Sequence, residues 1–288
     1  MSVLYPRDFA SINDWAKEHG IQVNEARTRY AQFGVLRAIA DSNELSKILV
    51  FKGGNALDFV WHPNRSTRDL DFSALKNTLT EEELRPLLQR ALDVAGRELE
   101  IAFRVQSIHR NPPGEDRTFP TYRINVGYAL RDDNPRLHQQ IQKGGSVSQV
   151  VPVEISINEV VCDFQEVDFD GINTLKVSTR EDIVAEKLRA LLQQLVRNRS
   201  RKQDLLDLSV QLKSGEALDA GKVAVYLKAK AVDREVVVSK STFRIPEVWS
   251  RANEDYESLQ AKARIEFIPF QEAQELVLRF VDTLQIPD

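Results

Sequence analysis

An α+β fold, with strands first and helices last, is what the 288-residue sequence predicts. Three observations carry that expectation. Short runs with strand character recur at 48–51, 68–72, 101–108, 120–129 and 150–161. Glycine, proline and asparagine clusters punctuate them. From 178 onward the periodicity becomes helical. The change falls near residue 175, so a strand-bearing domain is expected over 1–175 and a helical domain over 176–288. No internal repeat or low-complexity tract interrupts this plan.

The elements follow in order. Residues 7–46 read as helical: Ser11 followed by Asp14 resembles a capping box, and Gly20 is a stop. The stretch 24–40 places Tyr30, Phe33, Leu36 and Ile39 at helical spacing. Ile48-Leu49-Val50-Phe51 is a buried strand, after which Gly53-Gly54-Asn55 opens a short helix that His62-Pro63-Asn64 ends. In 68–72 the alternation sends Leu70 and Phe72 one way and Asp69 and Asp71 the other. Thr80 caps an amphipathic helix over 80–99, with Glu81–Glu83 in its first turn, where the helix dipole favours anions. A hairpin with strands near 101–108 and 120–129 turns at Asn111-Pro112-Pro113-Gly114. After a polar stretch with Gly144-Gly145, the strand at 150–161 sets Glu154, Ser156 and Asn158 against Val153, Ile155 and Ile157. Ser178 or Thr179, with Glu181 and Asp182, caps a helix running to about 196. Further helices are expected at 201–213, 216–229 and 270–284.

Composition removes several functional classes. A net charge of −4 excludes a general nucleic-acid coat held by bulk charge, so any such contact needs a local basic patch. One cysteine excludes a disulfide framework or cysteine-based zinc cluster, and four scattered histidines give no HExxH. No apolar stretch reaches signal-peptide or membrane-spanning length. A cytoplasmic protein with no membrane partner is expected.

The residues that could carry chemistry begin with Asp69-Leu70-Asp71. Nucleotidyl and phosphoryl transfer commonly use two divalent ions held about 3.5–4 Å apart by carboxylates. Mg²⁺ takes one or two protein carboxylates plus phosphate oxygens. Glu154, the acidic residue flanked by apolar positions on a strand, is the candidate third carboxylate. A solvated strand face would show the same doublet. Gly53-Gly54 after a strand suits a phosphate at a helix N-terminus, and equally a tight turn at positive φ. Arg65 and Arg68 either neutralise a triphosphate or balance the aspartates. A second cluster runs from Glu186-Lys187-Leu188-Arg189 to Arg197-Asn198-Arg199-Ser200-Arg201-Lys202-Gln203-Asp204. On one continuous helix Lys187 and Asp204 would point about 100° apart, so the polar stretch between them is expected to break the helix and let both reach one site. The run is locally cationic: a solvated face, or a phosphate or RNA contact.

Taken together, Phe51-Lys52-Gly53-Gly54-Asn55-Ala56-Leu57, Arg65-Ser66-Thr67-Arg68-Asp69-Leu70-Asp71-Phe72, Glu186-Lys187-Leu188-Arg189-Ala190-Leu191 and Asp204-Leu205-Leu206-Asp207-Leu208 resemble the AbiEii/AbiGii-type toxins. These form a branch of the DNA polymerase β-like nucleotidyltransferase superfamily. The resemblance implies a nucleotidyltransferase-fold mixed sheet with flanking helices, and a C-terminal helical domain completing the NTP and acceptor site. It implies transfer of a nucleoside monophosphate from NTP to an RNA acceptor, the 3′ end of tRNA in characterised relatives, and a separately encoded antitoxin. Asp69 and Asp71, with Glu154, would bind Mg²⁺ or Mn²⁺. Gly53, Gly54, Asn55, Arg68 and Lys187 would hold the nucleotide, Asp204 would complete the catalytic set, and Arg197, Arg199, Arg201 and Lys202 would meet the acceptor. Asn55 departs from the Ser or Thr common at its position, though its amide can still donate to phosphate. Two rival readings are a catalytically silent nucleotide- or RNA-binding module, and the same fold modifying a small molecule or a protein hydroxyl.

Overall fold

The computed structural model describes residues 5–65, 67–76, 79–113, 118–194, 196–197 and 199–288. Ser66 of the Arg65–Phe72 motif, Gly114 of the expected hairpin turn and Asn198 of the basic run lie outside them. The chain forms two compact units: Met1–Phe59, Thr67–Glu159 and Gln165–Val177 make the first, and Val60–Ser66, Val160–Phe164 and Ser178–Asp288 the second.

In the first unit, α1 (Ile12–Glu18), α2 (Val23–Asp41) and α3 (Leu45–Ile48) precede β1 (Leu49–Lys52). Tyr30, Phe33, Leu36 and Ile39 are all buried along α2, as their helical spacing predicts. Ser11 does not cap α1 with its side chain. Its hydroxyl donates instead to the Asp8 carbonyl, so no oxygen is turned to the first helical turn. Gly53–Ala56 forms α4, which widens into a π-helical turn over Leu57–Trp61. Next come β2 (Leu70–Ala74), α5 (Glu81–Leu99), β3 (Ile101–Asn111) and β4 (Thr121–Leu130). Thr80 and Glu83 make a reciprocal capping box at the start of α5. The polar stretch left without an element in the sequence contains α6 (Pro135–Gln142), with Asn134 as its cap and proline at its first position.

Seven strands form one mixed sheet in the order β3-β4-β5-β2-β1-β7-β6. Strand β5 (Val150–Ser156) is shorter than its alternating sequence suggests, because Asn158 at φ 59° takes left-handed backbone and ends the pairing. Strands β6 (Phe164–Asp168) and β7 (Thr174–Ser178) escape a reading by apolar pattern. Residues of β6 are almost all exposed, as suits a strand at the sheet edge. In the sheet centre β2 pairs antiparallel with β1 and parallel with β5.

The second unit is helical, with α7 (Arg180–Gln193), α8 (Lys202–Lys213), α9 (Ala220–Asp233), α10 (Pro246–Asn253) and α11 (Phe270–Thr283). Helix α7 ends before the residue 196 expected for it, and α9 begins later than 216 because Asp219 caps it. Leu188, Leu191, Leu205, Leu208, Leu227, Phe243 and Val277 belong to one shared apolar core.

Thr80→Ala removes the side-chain half of the α5 box and is expected to cost about 1 kcal/mol, read as a lower urea midpoint at unchanged m-value.

Candidate active site

The site in the first unit is built on β2. Strand β2 begins at Leu70, not at the expected 68, so Asp69 lies just before it and is exposed; Leu70 and Phe72 are fully buried, and alternation turns the half-buried Asp71 to the opposite face. Backbone pairing puts Asp71 between Lys52 of β1 and Glu154 of β5. The carboxylate expected as third member is thus the direct neighbour of Asp71 across a parallel pair. Glu154 accepts an ion pair from Arg123 of β4 at 3.0 Å. The Lys52 ammonium turns to Glu159 and to the Ser156 hydroxyl at 3.1 Å, and Ser73 donates to the same Glu159 carboxylate at 2.7 Å. Lys52 and Glu159 are members of this face that the sequence reading missed; Lys52 was legible from its place beside the glycines, whereas Glu159 falls within the expected strand 150–161 but beyond the end of β5.

Gly53 is required twice over. Its φ is +75°, and a Cβ there would lie 2.5 Å from Asp71 Oδ2. The glycine thereby leaves open the space beside that carboxylate oxygen. Asn55 corrects the sequence expectation. It is fully buried, and its amide donates to the carbonyls of Asp69 at 2.6 Å and Thr67 at 3.1 Å, so both N–H groups are turned inward rather than toward a phosphate. Arg68 is exposed.

The chemistry of Asp69 and Asp71 fits a hard divalent cation, which takes carboxylate oxygens together with phosphate oxygens. Among the described residues, no three histidine, cysteine, aspartate or glutamate side chains converge as a ready metal-binding group. Asp71 and Glu154 share a sheet face and Asp69 precedes it, without the three closing into a cage.

In the second unit the helix breaks between α7 and α8, and Lys187 meets Asp204. The buried Lys187 ammonium donates to Asp204 at 2.9 Å and to Asp207 at 2.7 Å. Asp207 also receives Arg65 through two parallel bonds of 2.7 Å each. Arg65 therefore balances Asp207. Burial works against a charged Lys187, yet Asp204 and Asp207 outweigh it and hold the ammonium pKa above its usual value. Burial likewise works to raise Asp207, but Arg65 and Lys187 hold its carboxyl below the usual range. Asp207 was missed as a member of this cluster, although its place three residues after Asp204 puts both on one face of α8.

The basic run is only partly available to an acceptor. Lys202 is tied to Asp255 at 2.5 Å and to Ser258, and Arg201 lies 3.5 Å from Asp204. Burial holds the Arg201 pKa below its usual value against the pull of Asp204. Arg197 and Arg199 are exposed.

The family described as "Nucleotidyl transferase AbiEii toxin, Type IV TA system" matches residues 35–276. The chain belongs to the AbiEii nucleotidyltransferase toxin family. It is thus a nucleotidyltransferase of the toxin–antitoxin class, and membership implies a nucleotide substrate and an antitoxin counterpart. Its fold is similar to that of JHP933 from Helicobacter pylori, at 18% identity and TM-score 0.52, covering 88% of this chain and 89% of that one. A second H. pylori structure, provisionally described as a nucleotidyltransferase, aligns at 14% identity and TM-score 0.49 over 88% of this chain and 92% of its own. No curated protein matches the chain by sequence. No helix among the described residues is long and apolar enough to cross a membrane.

Two predictions follow from the second-unit cluster. Asp207→Ala removes the buried carboxylate that pairs with both Arg65 and Lys187, and is expected to cost about 3–5 kcal/mol in urea unfolding. The pH dependence has two limbs. The contribution of Asp207 is complete above the ordinary carboxyl value of 3.8 and is lost as pH falls through its depressed folded value. That of Lys187 is complete below 10.5 and is lost as pH rises through its raised folded value. Melting temperature against pH should show both limbs, with Lys187→Met flattening the alkaline one.

Proposed function

We propose that this AbiEii enzyme transfers a nucleoside monophosphate from NTP to a terminal hydroxyl of RNA, with the 3′ end of tRNA as acceptor, and so arrests growth. The observation that carries this reading is the row Lys52–Asp71–Glu154 across three strands, with Asp69 exposed just before β2 and Gly53 closing over Asp71. Residues 1–175 are read as the nucleotidyltransferase domain and 176–288 as the helical domain.

Asp69 and Asp71 would hold Mg²⁺ or Mn²⁺, which when bound supplies positive charge to the triphosphate at the reacting phosphorus. Gly53 and Gly54 bring bare backbone alongside, so phosphate oxygens can approach without meeting a side chain. Glu154 is placed to accept a hydrogen bond from the attacking hydroxyl, and Arg123 orients it from β4. An in-line attack on the α-phosphorus then forms the new P–O bond as the bond to pyrophosphate breaks. In the second unit, Lys187 acts first as the buried cation that fixes Asp204 and Asp207. Arg197 and Arg199 are the members of the basic run left exposed for a nucleic-acid backbone.

Incubation with each α-labelled NTP and total RNA tests this reading. Label should enter the tRNA fraction from one preferred NTP. Asp69→Asn and Asp71→Asn should each lower transfer about 10²–10³-fold, the scale of losing one charge-stabilising group, at unchanged melting temperature. Undiminished labelling by either variant would remove the carboxylate assignment. Label in protein or small-molecule fractions alone would remove the RNA acceptor.

A further inference from the structure

Immediately before β2, three consecutive peptide carbonyls are each taken by a buried side-chain amide. Gln32 on α2 donates to Thr67 O at 2.9 Å and to Arg68 O at 3.0 Å. Asn55 on α4 donates to Thr67 O at 3.1 Å and to Asp69 O at 2.6 Å. Strand pairing of β2 begins at Leu70 with β5 and at Asp71 with β1, so these carbonyls precede the ladder. A surface loop commonly leaves such groups to water. Here four amide N–H groups converge on them from two helices.

The donors are themselves fixed. Asn55 Oδ1 accepts from Arg29 at 3.3 Å, which sets which way the amide faces. Arg29 pairs with Asp58 at 2.7 Å and lies over the Phe59 ring at 3.4 Å. Gln32, Asn55, Arg29 and Asp58 are all buried. A primary amide among apolar side chains destabilises a core unless its N–H groups are used, so their presence calls for a reason beyond packing.

That reason is at Asp69. Its side chain is exposed, so the backbone carrying it sets where the carboxylate stands. We infer that Gln32 and Asn55 are positioning residues that hold the 67–69 backbone, and with it the Asp69 carboxylate, in place for a divalent cation before the cation arrives. The inference rests on the metal-binding reading of Asp69 and Asp71 given above. Neither amide touches the metal. They act through the peptide groups, as outer-shell partners act on ligands in known metal sites.

The experiment uses the full chain without nucleotide and measures Mn²⁺ affinity by electron paramagnetic resonance. Gln32→Met keeps the side-chain length and removes both N–H groups, and should weaken Mn²⁺ binding about 10–100-fold. Gln32→Glu, which keeps the shape and replaces donors by acceptors, should do the same and serves if the Met variant fails to fold. Gln89→Met is the structural control. Gln89 bridges α5 to Phe103 O and Val105 N, so its loss should lower melting temperature while leaving Mn²⁺ affinity unchanged. In turnover, Gln32→Met should raise the Mg²⁺ concentration for half-activation, with the KM for NTP at saturating metal unchanged. Wild-type Mn²⁺ affinity in folded Gln32→Met or Gln32→Glu, or an equal loss in Gln89→Met, overturns the positioning role. Asp71→Asn separates the two layers: unchanged Mn²⁺ affinity there overturns the metal site itself, whereas its loss beside an unaffected Gln32→Met overturns the clamp alone.

Discussion

Strand β2 is held from both sides in opposite senses, antiparallel by β1 and parallel by β5, and this double pairing fixes what every other part of the first unit can do. With Leu70 and Phe72 fully buried, a slip of one residue would turn Asp71 into the core. Such a slip would bury a carboxylate and expose an aromatic ring, so the register is strongly specified. The same register fixes the neighbours of Asp71: Lys52 on one side, Glu154 on the other, with Arg123 beyond it on β4. The two carboxylates adjoin at the centre of that row, and a cation flanks each on its outer side. Each charged group therefore has an opposite neighbour within one strand spacing, and a polar face can persist on a sheet whose other face is apolar.

The second unit solves a different electrostatic problem. Two cations, Arg65 and Lys187, and two anions, Asp204 and Asp207, are enclosed together. Enclosing any one alone would be prohibitive, whereas the bidentate guanidinium and the shared ammonium satisfy most of the oxygens. Such a cluster adds little net stability over apolar residues of similar volume. Its effect is to join α7 to α8, since Lys187 on the first helix donates to Asp204 and Asp207 on the second. The sequence segment that reads as a cationic run is spent in pairs: Arg201 lies beside Asp204, and Lys202 is tied to the exposed Asp255.

Much of this was legible in the sequence. The β2 alternation, the Gly53 turn, the Thr80 cap, the placement of Glu154 on a strand and the helix break before Asp204 all follow from local rules, and local rules survive folding. What escaped was set at long range. Strand β6 carries almost no apolar pattern because it lies at an edge. Helix α6 is short and polar. Gln32 sits in the middle of α2, and nothing within a turn of it says that it faces residues 67 and 68. Asn55 was read from its neighbours in sequence as a phosphate donor. Its partners are twelve and fourteen residues downstream, and no spacing rule reaches them.

The asparagine that breaks the family pattern is explained by the same contacts. A serine or threonine hydroxyl brings one donor hydrogen, enough for one carbonyl. At position 55 two carbonyls, of Thr67 and Asp69, stand within reach, and Arg29 points a guanidinium at the same side chain. Only a primary amide can donate twice and still accept from an arginine. A hydroxyl would serve only one of them, leaving Thr67 O to Gln32 or Asp69 O to the long bond from the Thr67 hydroxyl, and a carboxylate would meet both carbonyls oxygen to oxygen. The Gly-Gly-Asn turn is thus matched to a loop held from beneath: Gly53 yields space to Asp71 above, and Asn55 closes the backbone below Asp69. The departure at Asn55 leaves the carboxylate face intact, because the residue serves that face from its buried side.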